Sequence, residues 1–212
     1  MGIPVMVLGT SGTGKSASMR FLPIDKFGLI NVSSKPLPFK TEKTKGIINT
    51  DDYTVISMTL KKATSDIIVI DDCQYLMANE FMRRGKETGF QKFTDIGTNF
   101  WNLVRGVYEL PKQKVVYFMG HTEIDQYGNV KFKTVGKLLD EKITVEGMFT
   151  IVLRTVVQDG KYYFSTGNDG MDTVKTPMGL FKEPLIDNDL NYVDQEIRKY
   201  YDLLPKAENA LV

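Results

Sequence analysis

The chain's 212 residues suit one α/β domain and are too few for two domains with separate cores. Hydrophobic residues make up 42% and charged residues 25%, and no apolar run approaches the roughly 20 residues of a spanning helix, which excludes disordered and membrane-spanning classes. The formal net charge of +1 excludes nucleic-acid binding through overall charge, so such binding requires a local basic patch.

The first predicted elements are a strand, a short helix and a second strand. Residues 3–8 form an apolar, β-branched run that is typical of a buried strand. Residues 15–21 predict about two helical turns, which Pro23 stops. Residues 29–32 predict another strand, followed by a long polar loop to residue 46.

Residues 51–63 fit both a helix and a strand, and a helix is favoured because Asp51 or Asp52 supplies an N-cap. Further strands are predicted at residues 67–70, 115–119, 149–157 and 161–165, and further helices at residues 94–110 and 190–204. Thr94 or Asp95 is the expected N-cap of the first of these helices. The dipeptide at 159–160, Asp-Gly, is typical of a two-residue hairpin turn.

Strands that alternate with helices and then form a hairpin predict an α/β fold. We expect a mainly parallel central sheet flanked by helices, with an antiparallel hairpin at one edge. Residues 1–182 are expected to form the core of the domain, and residues 183–212 a helical tail packed on it.

Residues 9–16, GTSGTGKS, match the pattern GxxxxGK[ST] between a predicted strand and a predicted helix. In such a P-loop, backbone N–H groups face phosphate oxygens, the lysine neutralises the β- and γ-phosphates, and the hydroxyl that follows binds Mg²⁺. Lys15 and Ser16 occupy these positions, and the absence of an NKxD motif favours adenine over guanine. The sequence therefore predicts a site for ATP and Mg²⁺. The expected nucleotide contacts are Gly9, Thr10, Ser11, Gly12, Thr13, Gly14, Lys15, Ser16 and Ala17.

The apolar run IIVIDD, residues 67–72, ends in two aspartates. A P-loop enzyme needs a carboxylate at the end of a neighbouring strand to hold Mg²⁺, and Asp71 is the candidate because it directly follows the strand. Asp72 either orients the attacking water or caps the helix that begins at Cys73.

The segment VVYFMGHTE, residues 115–123, brings two more polar side chains to the same edge of the sheet, where open α/β folds bind ligands. His121 is a candidate sensor or catalytic residue, or a hydrogen-bonded loop residue. Glu123 and Asp72 are both candidates for polarising water, and the spacing does not choose between them. The catalytic candidates are therefore Lys15, Asp72, His121 and Glu123.

Basic residues gather at residues 35–45, 83–86 and 131–137. Aromatic residues interleave with Lys131, Lys133 and Lys137, a pattern that fits three kinds of surface. These are a contact with single-stranded nucleic acid, a finger that reaches the γ-phosphate of a neighbouring subunit, and a plain surface loop. Arg83 and Arg84 leave the same alternatives open.

A single cysteine, Cys73, excludes an intramolecular disulfide, and the single histidine weakens the case for a zinc site. The opening segment MGIPVMVLG is too short and too uncharged for a secretory signal, so we expect a cytoplasmic protein.

Four segments follow one another along the chain in the order GTSGTGKS, IIVIDD, VVYFMGHTE and GKLLDEKITVEGMFTIVLRT. In this order the chain resembles the phage-encoded minimal RecA-like ATPases of the Sak recombination group, across most of residues 1–182. The resemblance implies ATP-dependent handling of single-stranded DNA in phage recombination or replication. It also implies homo-oligomers with ATP near subunit contacts, a single-strand-binding protein as partner and a location in the host cytoplasm. RecA-like enzymes normally carry a catalytic Glu between the two Walker elements, and this chain has only Glu42, with Asp51 and Asp52, in that interval.

Two other functions would use the same loop. A nucleotide-controlled adaptor, such as a helicase loader, would form a stable protein complex and respond little to DNA. A small-molecule kinase would need an arginine-rich lid, for which Arg83 and Arg84 are the candidates.

Overall fold

A computed structural model of the chain describes residues 1–42 and 45–203. Its strands are β1 Ile3–Gly9, β2 Phe27–Asn31, β3 Ile47–Asn49, β4 Ile67–Asp71, β5 Val115–Ile124, β6 Val130–Phe132, β7 Ile151–Gln158, β8 Lys161–Ser165 and β9 Leu185–Asp187. Its α-helices are α1 Tyr53–Lys62, α2 Gln74–Arg83, α3 Gln91–Val107 and α4 Leu190–Tyr200. Two 3-10 helices, Ser16–Phe21 and Val145–Met148, and one π-helix, Leu138–Ile143, are shorter.

The strands form one sheet in the order β3-β2-β4-β5-β1-β7-β8-β9, with β6 paired to the far end of β5. The pairs from β3 to β7 are parallel, whereas β8 is antiparallel to both β7 and β9. This confirms the mainly parallel sheet with an antiparallel hairpin towards one edge, and adds β9 outside the hairpin. Asp159 and Gly160 both have positive φ, 51° and 73°, as the predicted two-residue turn requires.

Helices cover both faces of the sheet. Successive strand residues point to opposite faces, so β1 directs Met6 towards α1, α2 and α3 and directs Val7 towards α4 and the first 3-10 helix. On the first face Phe100 of α3 packs edge-on against Phe118 of β5, with ring centroids 6.3 Å apart.

The helix boundaries test the capping predictions. Asp52 caps α1 as predicted, because its carboxylate accepts from backbone N–H groups of the first turn. The predicted N-cap of α3 at Thr94 or Asp95 is wrong, since α3 begins at Gln91. The Asp95 carboxylate accepts instead from Arg84 and Gln91, so it is engaged in side-chain contacts.

The segment expected as a helical tail contributes β9 and α4, and Asp189 caps α4. Residues 204–212, including the predicted end of that helix, lie outside the described residues, as do residues 43 and 44 of the long loop. Within residues 1–42 and 45–203, no helix has both the length and the apolar composition needed to cross a bilayer.

Candidate functional site

Polar residues meet where the parallel strands end. The register pairs Gly9 of β1 with His121 of β5, and Asn31 of β2 with Asp71 of β4. A cavity of about 730 Å³ opens at this edge, within the range of ligand sites. A second cavity of about 700 Å³ lies at the opposite edge, beside Arg198, and the predicted P-loop does not line it.

The P-loop, Gly9 to Ser16, depends on three glycines. Gly12 and Gly14 have φ of 79° and 100°, where a side chain would add strain. A Cβ on Gly9 would lie 1.9 Å from the hydroxyl of Thr155 on β7, so Gly9 allows β7 to approach. That hydroxyl lies 2.6 Å from the hydroxyl of Thr13, which joins the loop to the sheet. Of the other predicted contacts, Ser11 and Ala17 line the cavity, and the carbonyl of Thr10 binds Lys15.

Lys15 is 6% exposed and lies at the centre of the loop. Its ammonium donates to the carbonyls of Gly9 at 2.8 Å and Thr10 at 2.9 Å, both of which are neutral. Burial lowers the pKa of Lys15, while the charges of Asp72 and Asp71 oppose the shift. The buried ammonium of Lys15 is therefore held by backbone carbonyls of the loop and not by a carboxylate.

Ser16 and Asp71 lie together at the start of the 3-10 helix and the end of β4. The Ser16 hydroxyl donates to the Asp71 carboxylate at 2.9 Å. Asp71 is 6% exposed, and burial raises its pKa to about 6, an effect that the Ser16 hydrogen bond opposes. A hydroxyl and a carboxylate are oxygen ligands of the kind that Mg²⁺ prefers.

Asp72 lies in a different set of contacts. Its φ of 59° is left-handed, and its carboxylate accepts from Ser33 at 2.8 Å and lies 3.3 Å from Nε2 of His121 and 3.5 Å from Nζ of Lys35. Burial opposes ionisation, but the hydrogen bonds from His121 and Ser33 and the charge of Lys35 lower the pKa to about 2. The N-cap of α2 is Cys73, so the capping role considered for Asp72 is wrong.

His121 is fixed on several sides. Its backbone N–H donates to the side chain of Gln74 at 3.2 Å, and its ring meets the ring of Tyr75 edge-on. Its carbonyl accepts from the backbone N–H of Lys133 at 2.9 Å, which joins the site to the segment after β6. Together with Asp72, these contacts hold the imidazole beside the cavity.

Glu123 lies two residues beyond His121, where β5 has left the main sheet and pairs with β6. Its carboxylate is 3.6 Å from Nζ of Lys131, and it does not line the cavity. The P-loop begins level with His121, and Glu123 lies two residues farther along β5. Asp72 is the carboxylate that faces His121.

The basic candidates lie outside the cavity. Arg83 forms a salt bridge with Asp51, and Arg84 forms salt bridges with three carboxylates. Lys133 and Lys137 are exposed. Arg83 and Arg84 therefore have acidic partners within the described structure and do not form a lid over the cavity.

Several site residues escaped the sequence-based predictions. Ser33 and Lys35 reach Asp72 because β2 pairs with β4, and Asn31 lines the cavity for the same reason. Tyr162 and Asn188 approach the P-loop from the other side, through β8 and the end of β9. Apart from Lys35, which begins the basic segment 35–45, no local motif marks these residues, since they are brought together by strand order.

No protein-family model and no curated protein gave a significant match to the chain. The functional assignment therefore depends on the geometry of this site and on the sequence pattern.

Proposed function

We propose that this protein is a RecA-like P-loop ATPase that binds ATP with Mg²⁺ at the carboxyl edge of the sheet and acts on single-stranded DNA. One observation carries the nucleotide part of the proposal. A buried ammonium, Lys15, lies within a glycine-rich loop directly beside the oxygen pair of Ser16 and Asp71. A triphosphate supplies an anion for the ammonium of Lys15, and Mg²⁺ suits the oxygen pair of Ser16 and Asp71.

In this proposal the residues of the loop bind and orient the phosphates. Gly12 and Gly14 give the backbone the curvature with which N–H groups face phosphate oxygens. Lys15 would neutralise the β- and γ-phosphates, and Ser16 and Asp71 would hold the metal. Mg²⁺ held there would neutralise part of the phosphate charge.

Asp72 and His121 are proposed to act at the terminal phosphate. The low pKa of Asp72 makes it a weak proton acceptor at neutral pH, and its hydrogen bonds suit it to orienting His121. His121, held by Asp72 through Nε2, is then placed beside the terminal phosphate. Glu123 remains a proposed water-polarising residue that would require the β5–β6 hairpin to approach the nucleotide.

The DNA part of the proposal is supported by the same β5–β6 hairpin. Tyr127 at its turn is 76% exposed, and Lys133 is exposed beyond β6. Exposed aromatic and basic side chains on one hairpin and the segment after it suit base stacking and phosphate contact. From the resemblance to the Sak-group ATPases we also expect the protein to form homo-oligomers and to have a single-strand-binding protein as partner.

The test measures Mg²⁺-dependent ATP hydrolysis with and without single-stranded DNA. We expect DNA to stimulate the wild type and Lys15→Ala to lose at least about 100-fold in turnover, because a preorganised cation is removed from the phosphates. Lys61→Ala, a matched change of an exposed lysine on α1, should behave as the wild type.

Two outcomes of this experiment would count against the proposal. Absence of Mg²⁺-dependent nucleotide binding by the wild type contradicts the proposal entirely. Slow turnover that DNA does not change favours the nucleotide-controlled adaptor.

A further inference from the structure

The cavity continues past Gly14 on the side away from Asp71. There it is lined by Arg20 of the first 3-10 helix, Tyr162 of β8 and Asn188 after β9. The backbone N–H of Asn188 donates to the carbonyl of Tyr162 at 3.2 Å, so the two residues form one unit. None of these three belongs to the P-loop motif.

The side chain of Asn188 is buried and has an unused donor. The residue is 2% exposed, and Arg20 donates to its amide oxygen at 3.3 Å. Because a guanidinium only donates, the amide oxygen faces Arg20 and the NH₂ group faces elsewhere. Across the described residues, Nδ2 has no hydrogen-bond partner. A buried donor without an acceptor costs free energy, and a rotation of the Asn188 side chain that brings Nδ2 to an acceptor on a ligand in the cavity removes that cost.

Tyr162 supplies a flat surface beside this amide. A Cβ on Gly14 would lie 3.0 Å from the ring of Tyr162 and 3.1 Å from the amide oxygen of Asn188, so both groups border the P-loop directly. Tyr162 is 46% exposed. Aromatic rings in such positions stack on nucleobases.

The two flanks of the P-loop therefore differ in chemistry. Ser16 and Asp71 offer oxygen ligands on one flank, and Tyr162 and Asn188 offer a ring and an amide on the other. If the metal and the terminal phosphates occupy the first flank, the base of the nucleotide extends to the second.

We propose that Tyr162 and Asn188 form the nucleobase subsite and that this subsite selects adenine, an inference that rests on the proposed nucleotide-binding function. The ring of Tyr162 stacks on the base. The Asn188 amide donates from Nδ2 to N7 of adenine and accepts from its N6 amine through the second lone pair of the oxygen. Guanine presents two acceptors at the same edge, which places one oxygen against another.

The experiment compares the affinities of Mg·ATP, Mg·GTP and inorganic tripolyphosphate with Mg²⁺, which has no base. The variants are Asn188→Ala, Asn188→Leu, which keeps the branched shape without the amide, and Tyr162→Leu. We expect each to weaken ATP binding about tenfold, the effect of a lost buried hydrogen bond or stacking contact, and to leave tripolyphosphate affinity within about twofold. The Asn188 variants should also lose the preference for ATP over GTP.

Two controls accompany these variants. Asn191→Ala changes a matched amide on the first turn of α4, away from the cavity, and should bind all three ligands as the wild type does. Tyr162→Phe retains the ring and should recover most of the affinity lost in Tyr162→Leu. Tyr162 is half-exposed, so its variants remain informative even where a change at Asn188 prevents folding.

The outcomes separate the subsite from the proposed function. Equal loss of ATP and tripolyphosphate affinity overturns the subsite, because the residues then act on the loop. Unchanged ATP affinity in all variants also overturns it. Wild-type protein that binds neither ligand overturns the proposed function, and the subsite with it.

Discussion

Asp71 and Asp72 are consecutive residues at the end of β4, yet they belong to two different regions of the cavity. Asp71 stays in the sheet and faces the P-loop, where Ser16 is its donor. Asp72 leaves the sheet in a left-handed conformation and meets Ser33, His121 and Lys35. Burial raises the pKa of Asp71 to about 6, whereas the donors around Asp72 lower its pKa to about 2.

The difference shows that neighbouring carboxylates acquire distinct chemistry from the number of donors around them. Asp71 is buried, and few donors or positive charges around it offset the cost of burying its charge. A cation beside it would therefore stabilise the ionised carboxylate. The charge of Asp72 is already stabilised, so this residue suits the positioning of His121. Three experiments test this division.

The largest expected effect is on catalysis. Asp71→Asn should lower Mg²⁺-dependent ATP turnover at least about 100-fold, because the proposed metal ligand loses its charge. Asp72→Asn should lower it only about tenfold, since it weakens the positioning of His121. Asparagine tolerates the left-handed backbone at residue 72, which avoids added strain. Steady-state turnover at saturating Mg·ATP measures both, and equal losses would remove the distinction between the two aspartates.

The pH dependence of Mg·ATP binding should report Asp71. Metal binding requires the ionised carboxylate, and a pKa of about 6 means that protons compete as the pH falls through 6. We expect Mg·ATP affinity to fall about tenfold between pH 7.5 and pH 5, as the ionised fraction falls. Asp71→Asn retains the titration of ATP itself and serves as the control. Identical pH profiles for the two proteins would contradict the role of Asp71.

The smallest expected effect is on the stability of the nucleotide-free protein, and it has opposite signs at the two positions. The folded-state pKa of Asp71 is raised, so its contribution to stability falls as the pH rises from about 4 to 6. Asp71→Asn should therefore raise the free energy of unfolding at pH 7.5 by about 1 kcal/mol, with little change at pH 4.

The folded-state pKa of Asp72 is lowered, so its contribution is present above pH 4 and is lost as the pH falls towards 2. Asp72→Asn should lower the free energy of unfolding at pH 7.5 by about 1 to 2 kcal/mol, because hydrogen bonds to a charged acceptor are weakened. Urea denaturation of both variants at pH 7.5 and pH 4 measures these changes. Changes of the same sign at pH 7.5 would contradict the comparison.

Much of the Asp71 region was predictable because it depends on residues adjacent in sequence. The strand, the glycines and Lys15 form one continuous motif, and an apolar run followed by aspartate identifies β4. The sheet type followed from the alternation of strands and helices, and the hairpin from the Asp-Gly pair at 159–160.

The Asp72 region and the subsite around Asn188 were not predictable in this way. Ser33 lies in a loop without periodicity and reaches Asp72 only because β2 is the neighbour of β4. Asn188 lies after β9, a three-residue strand too short to give a pattern. The start of α3 was misplaced because Asp95 binds Arg84 rather than its own backbone, a contact between residues of different helices.

The strand order has a consequence for how the molecule is made. β1 lies between β5 and β7 and pairs with both. Since both partner strands lie more than a hundred residues later in the chain, β1 is synthesised well before either of them. Until then the P-loop sequence exists without the sheet that shapes it. Pairing across such long sequence separations is slow, and an unpaired apolar strand is prone to association with other chains. The strand that leads into the P-loop is therefore exposed to misassembly during synthesis.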